Sequence, residues 1–204
     1  QSTINEIEKT VVQQNEIETY CPKSPKDWRK WLEKHHLSKQ SVWLIYYKSS
    51  TKVASLSWSE AVDEALCFGW IDSTKKTIDK DRYMQYFSKR KSNSSWSMIN
   101  KEKVAKLIQN KQMAKAGFES IATAKQNGTW TKMDEVEALV IPKDLKEELA
   151  NYKGSTDYFD SLSKSAKKIL LHWVVSAKRT ETRQRRILEI AESASSNLMP
   201  KQFR

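Results

Sequence analysis

The sequence predicts an α+β fold: a small antiparallel sheet of about three strands packed on helices, followed by an all-helical C-terminal unit. Three observations predict it. Glycine and proline number only four each, while Lys, Glu, Ala and Leu are abundant, which favours helix over a many-turned sandwich. Residues 41–48, 70–77 and 82–89 are apolar or alternate with period two, as strands do. From Ile141 onward, apolar residues recur at helical spacing.

The elements follow in order. Residues 1–20 are polar and acidic apart from Ile4, Ile7, Val11 and Val12, and read as a peripheral segment, a helix or a loose lead-in. Ser24-Pro25-Lys26-Asp27 starts a helix: Ser24 caps, Pro25 takes the first helical position and Asp27 meets the positive end of the dipole. That helix runs to about His35 and buries Trp28, Trp31 and Leu32. Residues 41–48 form a strand covered on both faces, or covered on one and aromatic-rich on the other. Ser57-Trp58-Ser59-Glu60 is a capping box whose helix reaches Phe68, burying Trp58, Ala61, Val62, Ala65 and Leu66. Gly69 is its left-handed stop. Two strands, 70–77 and 82–89, flank the turn Asp79-Lys80-Asp81.

Helices over about 97–109 and 115–126 come next, the first with Val104, Leu107 and Ile108 inward, the second ending at Asn127-Gly128. Residues 129–140 connect, with room for one helical turn. Four helices then follow: one opened by Pro142, one over 155–162, one over 164–178 capped by Ser163 and rich in Ile169, Leu170, Leu171, Trp173, Val174 and Val175, and one capped by Thr180 with Ile187, Leu188, Ile190 and Ala191 inward. The expected organisation is a peripheral segment 1–20, an α+β core 21–130 and a helical unit 139–204.

The chain has 204 residues, enough for one large domain or a domain with an appendage. Its net charge of +11 centres on the middle: residues 81–130 hold ten Lys and Arg against three Asp and Glu. Such a balance is compatible with nucleic acid or another anionic partner, but no basic block in the middle segment exceeds Lys89-Arg90-Lys91, which fits a solvated face better. Two cysteines, Cys21 and Cys67, make neither a CxxC nor a disulfide framework, so a reducing, cytoplasmic setting is expected. No apolar run approaches the ~18 residues of a membrane span, and no signal peptide is visible at the start.

The chemistry is sparse. His35 and His36 are adjacent, so on a helix they diverge by about 100° and do not converge on one ion; no metal site is expected. Cys67 sits at the C-terminal end of a helix, where the dipole disfavours a thiolate, and reads as a buried, inert thiol. No phosphate-cradling glycine loop or Gly-x-Ser-x-Gly is present, and no cofactor is implied. Two runs stand out, Ala65-Leu66-Cys67-Phe68-Gly69-Trp70-Ile71-Asp72 and Ser94-Ser95-Trp96-Ser97-Met98-Ile99-Asn100, because both set large aromatics beside small polar groups at element boundaries. Asp72 alternates onto Trp70's face and needs a donor, with Lys48, Lys75, Arg82 and Arg90 the expected ones, in a structural pair or a ligand site. The serines and Asn100 surround a helix N-terminus, where free N–H groups cap locally or attract an anion. The basic set Lys178, Arg179, Arg183, Arg185 and Arg186 reads as a solvated face, with phosphate contact as its alternative.

Several stretches carry a resemblance. Trp28-Arg29-Lys30-Trp31-Leu32, the run from Glu60 through Ala65-Leu66-Cys67-Phe68-Gly69-Trp70-Ile71-Asp72, Ser94-x-Trp96-Ser97-x-x-Asn100-Lys101, Met113-x-x-x-Gly117, Ala124-Lys125-x-x-Gly128-x-Trp130 and Ala177-Lys178-x-x-Glu181-Thr182-Arg183-x-x-Arg186-Ile187 are together similar to the YdeI/OmpD-associated family, also described as bacteriocin-protection proteins. The family often has Pro where this chain has Lys89. The resemblance implies a small cytoplasmic bacterial protein linked to tolerance of bacteriocins, antimicrobial peptides or other stress.

The expected function is a non-enzymatic protein that binds a small or anionic ligand in a groove lined by Trp70, Asp72, Arg90, Ser94, Trp96, Ser97 and Asn100. Aromatics would stack on the ligand, Arg90 and the helix end would hold an anionic group, and Asp72 would orient Arg90 or accept a bond. A small enzyme with Asp72 as general base is the alternative, and a nucleic-acid binder using the basic surface is the third reading.

Overall fold

The computed structural model describes residues 18–204, so the expectations placed on residues 1–17 lie outside the described residues. The chain divides into two compact units, one comprising residues up to 92 together with 102–123, the other 93–101 together with 124–204. Helices over 98–109 and 115–126 cross the division.

The first unit begins with β1 (Thr19–Tyr20), α1 (Pro25–His35) and β2 (Ser41–Tyr47), continues through α2 (Trp58–Cys67), and closes its sheet with β3 (Trp70–Thr77) and β4 (Arg82–Lys89). The sheet order is β1-β2-β4-β3. Beyond the three antiparallel strands expected, two-residue β1 pairs parallel to β2, with Thr19 beside Trp43 and Tyr20 beside Leu44. Both helix starts follow local chemistry. Ser24 Oγ accepts from Asp27 N, and Ser57 and Glu60 satisfy each other's backbone in a complete capping box.

On β2, Val42, Leu44 and Tyr46 are buried while Trp43, Ile45 and Tyr47 are partly exposed. The sheet therefore has one fully covered face and one aromatic-rich face. The covered face also carries Phe87, Gln85, Trp70 and Asp72, as the registers Val42–Phe87, Leu44–Gln85 and Asp72–Phe87 require. Onto it pack Trp28, 5.4 Å edge-on from Phe87, and Trp31, 5.7 Å edge-on from Trp70. The Trp28 indole donates to Ala61 O at 3.0 Å and so fastens α1 to α2.

Gly69 ends α2 with φ of +70°, and a Cβ there would meet Ala116 O at 2.9 Å. Residues 102–123 close this unit. Lys103 bonds Asp63 and Ser59, Arg29 bonds Glu64 and Gln112 O, and Gly117 lies directly against the Cys67 carbonyl.

The second unit holds the start of α3 (Met98–Gln109), the end of α4 (Lys115–Gln126), then α5 (Asp134–Glu137), α6 (Lys143–Ala150), α7 (Ser155–Ser161), α8 (Lys164–Val175) and α9 (Thr180–Ser195). Its core joins Val136, Leu145, Leu149, Phe159, Leu170, Leu171, Val174, Ile187, Ile190, Ala191 and Ala194. Buried Ser155 stays inside because its hydroxyl donates to Ala191 O at 2.7 Å.

Three side chains depart from the expected inward set: Trp58, Ile108 and Leu188 are substantially exposed, as is Ile169 on the apolar-rich α8. In α8 and α9 the apolar residues outnumber the positions that face the core: the stripe Ile187, Ile190, Ala191, Ala194 follows helical spacing and leaves Leu188 about 100° away. The cap of α9 also differs, being Arg179 in extended backbone with no side-chain bond, while Thr180 is already helical.

Candidate functional site

The expected site residues fall on both units. Trp70, Asp72 and Arg90 belong to the first, Ser94, Trp96, Ser97 and Asn100 to the second. Each set has its own surroundings.

In the first unit Trp70 is 0% exposed, packed against Trp31, and its indole nitrogen has no hydrogen-bond partner among the described residues. Its ring is core and offers no face for stacking. Asp72 is half-buried on the same sheet face. Its Oδ2 accepts two neutral donors, the Trp58 indole N–H at 2.8 Å and the Gln85 amide at 2.6 Å. Three of the four cations expected beside Asp72 are engaged elsewhere. Lys48 donates to Lys80 O, Lys75 lies over the Tyr83 ring at 4.2 Å, and Arg82 pairs with Asp79. Arg90 senses Asp72 through charge: burial lowers its pKa to about 10, and the Asp72 carboxylate pulls the other way. The backbone of Arg90 is fixed by donation to Gly69 O.

The signal for Asp72's partners was present in Trp58 and Gln85, a donor at a helix start and a donor mid-strand. Helical periodicity had assigned Trp58 to the core instead. A register shift between Asp72 and Lys75 breaks the β3–β4 ladder beside these residues.

In the second unit Trp96 is 1% exposed and lies 5.0 Å from half-buried Trp130, so it too is interior. Lys101 and Lys125 both stand over Trp130, at 5.3 and 5.2 Å, and Lys101 also pairs with Asp134. Ser97 Oγ accepts from Asn100 N, and Ser97 O from Lys101 N, so Ser97 caps α3.

Ser94 lines a cavity of about 420 Å³ together with Asn93, Ser95, Lys132, Ser176 and Lys178. Lys132 and Lys178 are exposed, and neither has an ion-pair partner among the described residues. Hydroxyls and two ammonium groups on one hollow are the kinds of donor that a small anion would need. Ser176 is held in place by Arg186, which donates to its Oγ and to Trp173 O. Arg183 makes a two-pronged bond to Asp144. Those two members of the C-terminal basic set are structural, whereas Lys178 faces the cavity.

The remaining chemistry is quiet. Cys21 and Cys67 are both free thiols. Burial pushes Cys67 up to about 11, against a hydrogen bond from Arg29 that lowers it, so it is a buried thiol and not a nucleophile. No cluster of three or more His, Cys, Asp or Glu able to hold a metal occurs among the described residues. No helix among them is long and apolar enough to cross a membrane.

Comparison with family models gives two matches. A domain of unknown function covers residues 20–120. The family described as bacteriocin-protection, YdeI or OmpD-associated covers residues 138–197, within the helical second unit. Comparison with curated proteins and with solved structures finds no match.

Proposed function

We propose, for a chain whose residues 138–197 match the YdeI/OmpD-associated family model, that it is a non-enzymatic protein which binds a small anion in its second unit. The observation that carries this reading is that Lys132 and Lys178 line one serine-containing cavity with no ion-pair partner for either among the described residues. Ser176, Ala177 and Lys178 come from the family-matched segment, and Asn93, Ser94 and Ser95 from the lead-in to α3. A phosphate or carboxylate group would accept from the Ser94 hydroxyl and from both ammonium groups, bonds that are charge-assisted and stronger than neutral ones.

A binding role is favoured over base catalysis by Asp72, because that carboxylate spends Oδ2 on holding Trp58 and Gln85. The link to bacteriocin or stress tolerance rests on the family description, and the two unpaired thiols support work in a reducing compartment.

Titration of the full chain with inorganic phosphate, sulfate and acetate, followed by amide NMR, tests the reading. Saturable shifts at Ser94, Ser95, Ser176 and Lys178 are expected. Lys132→Ala and Lys178→Ala should each weaken binding about tenfold or more, the loss of one charge-assisted bond. Absence of saturable shifts with all three anions, or affinity unchanged in both variants, overturns it.

A further inference from the structure

We propose that the first unit carries a separate binding cleft for a pyranose-type sugar ring, built on the exposed indole of Trp58. A cavity of about 640 Å³ opens there, lined among others by Ser49, Ser50, Ser55, Trp58 and Tyr83. Its size falls within the range of about 300–1,000 Å³ typical of small-molecule sites.

Trp58 is the reason to read this hollow as a site. It starts a helix whose other large apolar side chains are buried, yet it is 43% exposed. Its ring is nevertheless fixed. The indole N–H donates to Asp72 Oδ2 at 2.8 Å, and the same oxygen takes the amide of Gln85, which is only 5% exposed. A bond chain anchored in the sheet thus holds an open aromatic plate, so the rotamer entropy of binding is already spent. Tyr83 lies on another wall, stacked 4.7 Å from Tyr46 with Lys75 over its ring, and is equally constrained.

The rest of the lining is hydroxyl. Ser49 and Ser50 make no side-chain hydrogen bond among the described residues, and Ser55 Oγ accepts from Tyr47 N at 3.1 Å with its own proton left to donate. The loop that carries them is preformed. Thr51 Oγ1 donates to Lys48 O and accepts from Val53 N, and Lys52 holds φ of +57°.

A fixed indole beside hydroxyls, with little charge, matches a ring that has an apolar C–H face and a rim of O–H groups. An aliphatic chain would strand the serine hydroxyls without partners. An anion would meet only the Lys48 ammonium, which is engaged with Lys80 O. A planar aromatic would satisfy Trp58 and leave the hydroxyls unused.

The test is ¹H–¹⁵N NMR on the full chain titrated with methyl β-D-glucoside and with cellobiose, using glycerol and indole as controls. Saturable shifts of the Trp58 indole N–H and of the Ser49, Ser50 and Ser55 amides are expected with the sugars and not with glycerol. Trp58→Ala, with an unchanged circular dichroism spectrum, should weaken the interaction about tenfold, the scale of one aromatic contact. The mapping on the unaltered chain stands even if that variant misfolds. No saturable shift from either sugar, an affinity unchanged in Trp58→Ala, or response to indole alone would each overturn the proposal.

Discussion

Trp58 and Asp72, fourteen residues apart, are joined by an indole-to-carboxylate hydrogen bond of 2.8 Å that ties the first turn of α2 to the start of β3. Gln85 shares the acceptor oxygen from inside the sheet. Removing the carboxylate therefore does two things: it frees an exposed ring and leaves a buried amide without its acceptor. Asp72→Ala should cost about 1–3 kcal/mol, the penalty for an unsatisfied buried donor. Asp72→Asn keeps an acceptor oxygen and should cost less. Urea denaturation of both variants checks the order; equal losses would show that the charge, and not the hydrogen bonds, matters at this position.

The parts legible in the sequence are those written locally. Ser24 before Pro25, the Ser57–Glu60 box and Gly69 after Phe68 each satisfy or end a helix through neighbours within four residues, and each behaves as expected. The strands read on either side of the polar turn, 70–77 and 82–89, match β3 and β4 to the residue. Trp58 failed because helical spacing counts an indole as core, whereas its N–H is drawn out to a carboxylate on another strand. Trp70 and Trp96 failed for the converse reason. Their polar neighbours suggested an open groove, but Arg90 N donates to Gly69 O across the β3–β4 hairpin, Asn100 N donates to Ser97 Oγ at the helix start, and both rings are buried. That Ser94 joins Lys132 and Lys178 rests on contacts between residues far apart in the chain, which no window of sequence reports.

Gly117 has no room for a side chain. A Cβ there would sit 2.2 Å from Met113 Sδ and 2.4 Å from the Cys67 carbonyl oxygen. The methionine can swing aside; the carbonyl, which also accepts from Ala114 N, cannot. Gly117→Ala should destabilise by about 1–3 kcal/mol, as overpacked sites do. Gly128→Ala meets nothing within 4 Å and loses only what its left-handed φ of +81° demands, about 1 kcal/mol. Melting temperatures of the two variants should rank accordingly, and a Gly128 variant the less stable of the pair would contradict the packing argument.

The two thiols should react in sequence. Cys21 is exposed, with its pKa raised by partial burial against the opposing charge of Arg82. Cys67 is buried, with its pKa pushed up to about 11 chiefly by burial. At neutral pH a disulfide reagent should modify one thiol in the folded chain, slowly for an exposed cysteine because little thiolate is present. The second should appear only with denaturant. Two equivalents consumed at once in buffer would place Cys67 within reach of solvent.

The Arg183–Asp144 pair sets how the second unit responds to acid. Arg183 Nε and Nη2 donate to the two carboxylate oxygens at 2.7 and 2.9 Å, and Leu145 N adds a third bond. These bonds, led by Arg183, hold the Asp144 carboxyl below its usual range. A depressed folded value contributes stability that is fully present above the unfolded pKa of about 3.9 and is lost as pH falls through the folded one. Both side chains are partly solvated, so the contribution is under about 1 kcal/mol. The stability gap between the native chain and Asp144→Asn should be constant at neutral pH, narrow below about pH 4, and shrink in high salt. A gap that stayed level into the acid range would mean that the carboxylate charge is not what Arg183 reads, and that the asparagine amide serves α6 and α9 equally well.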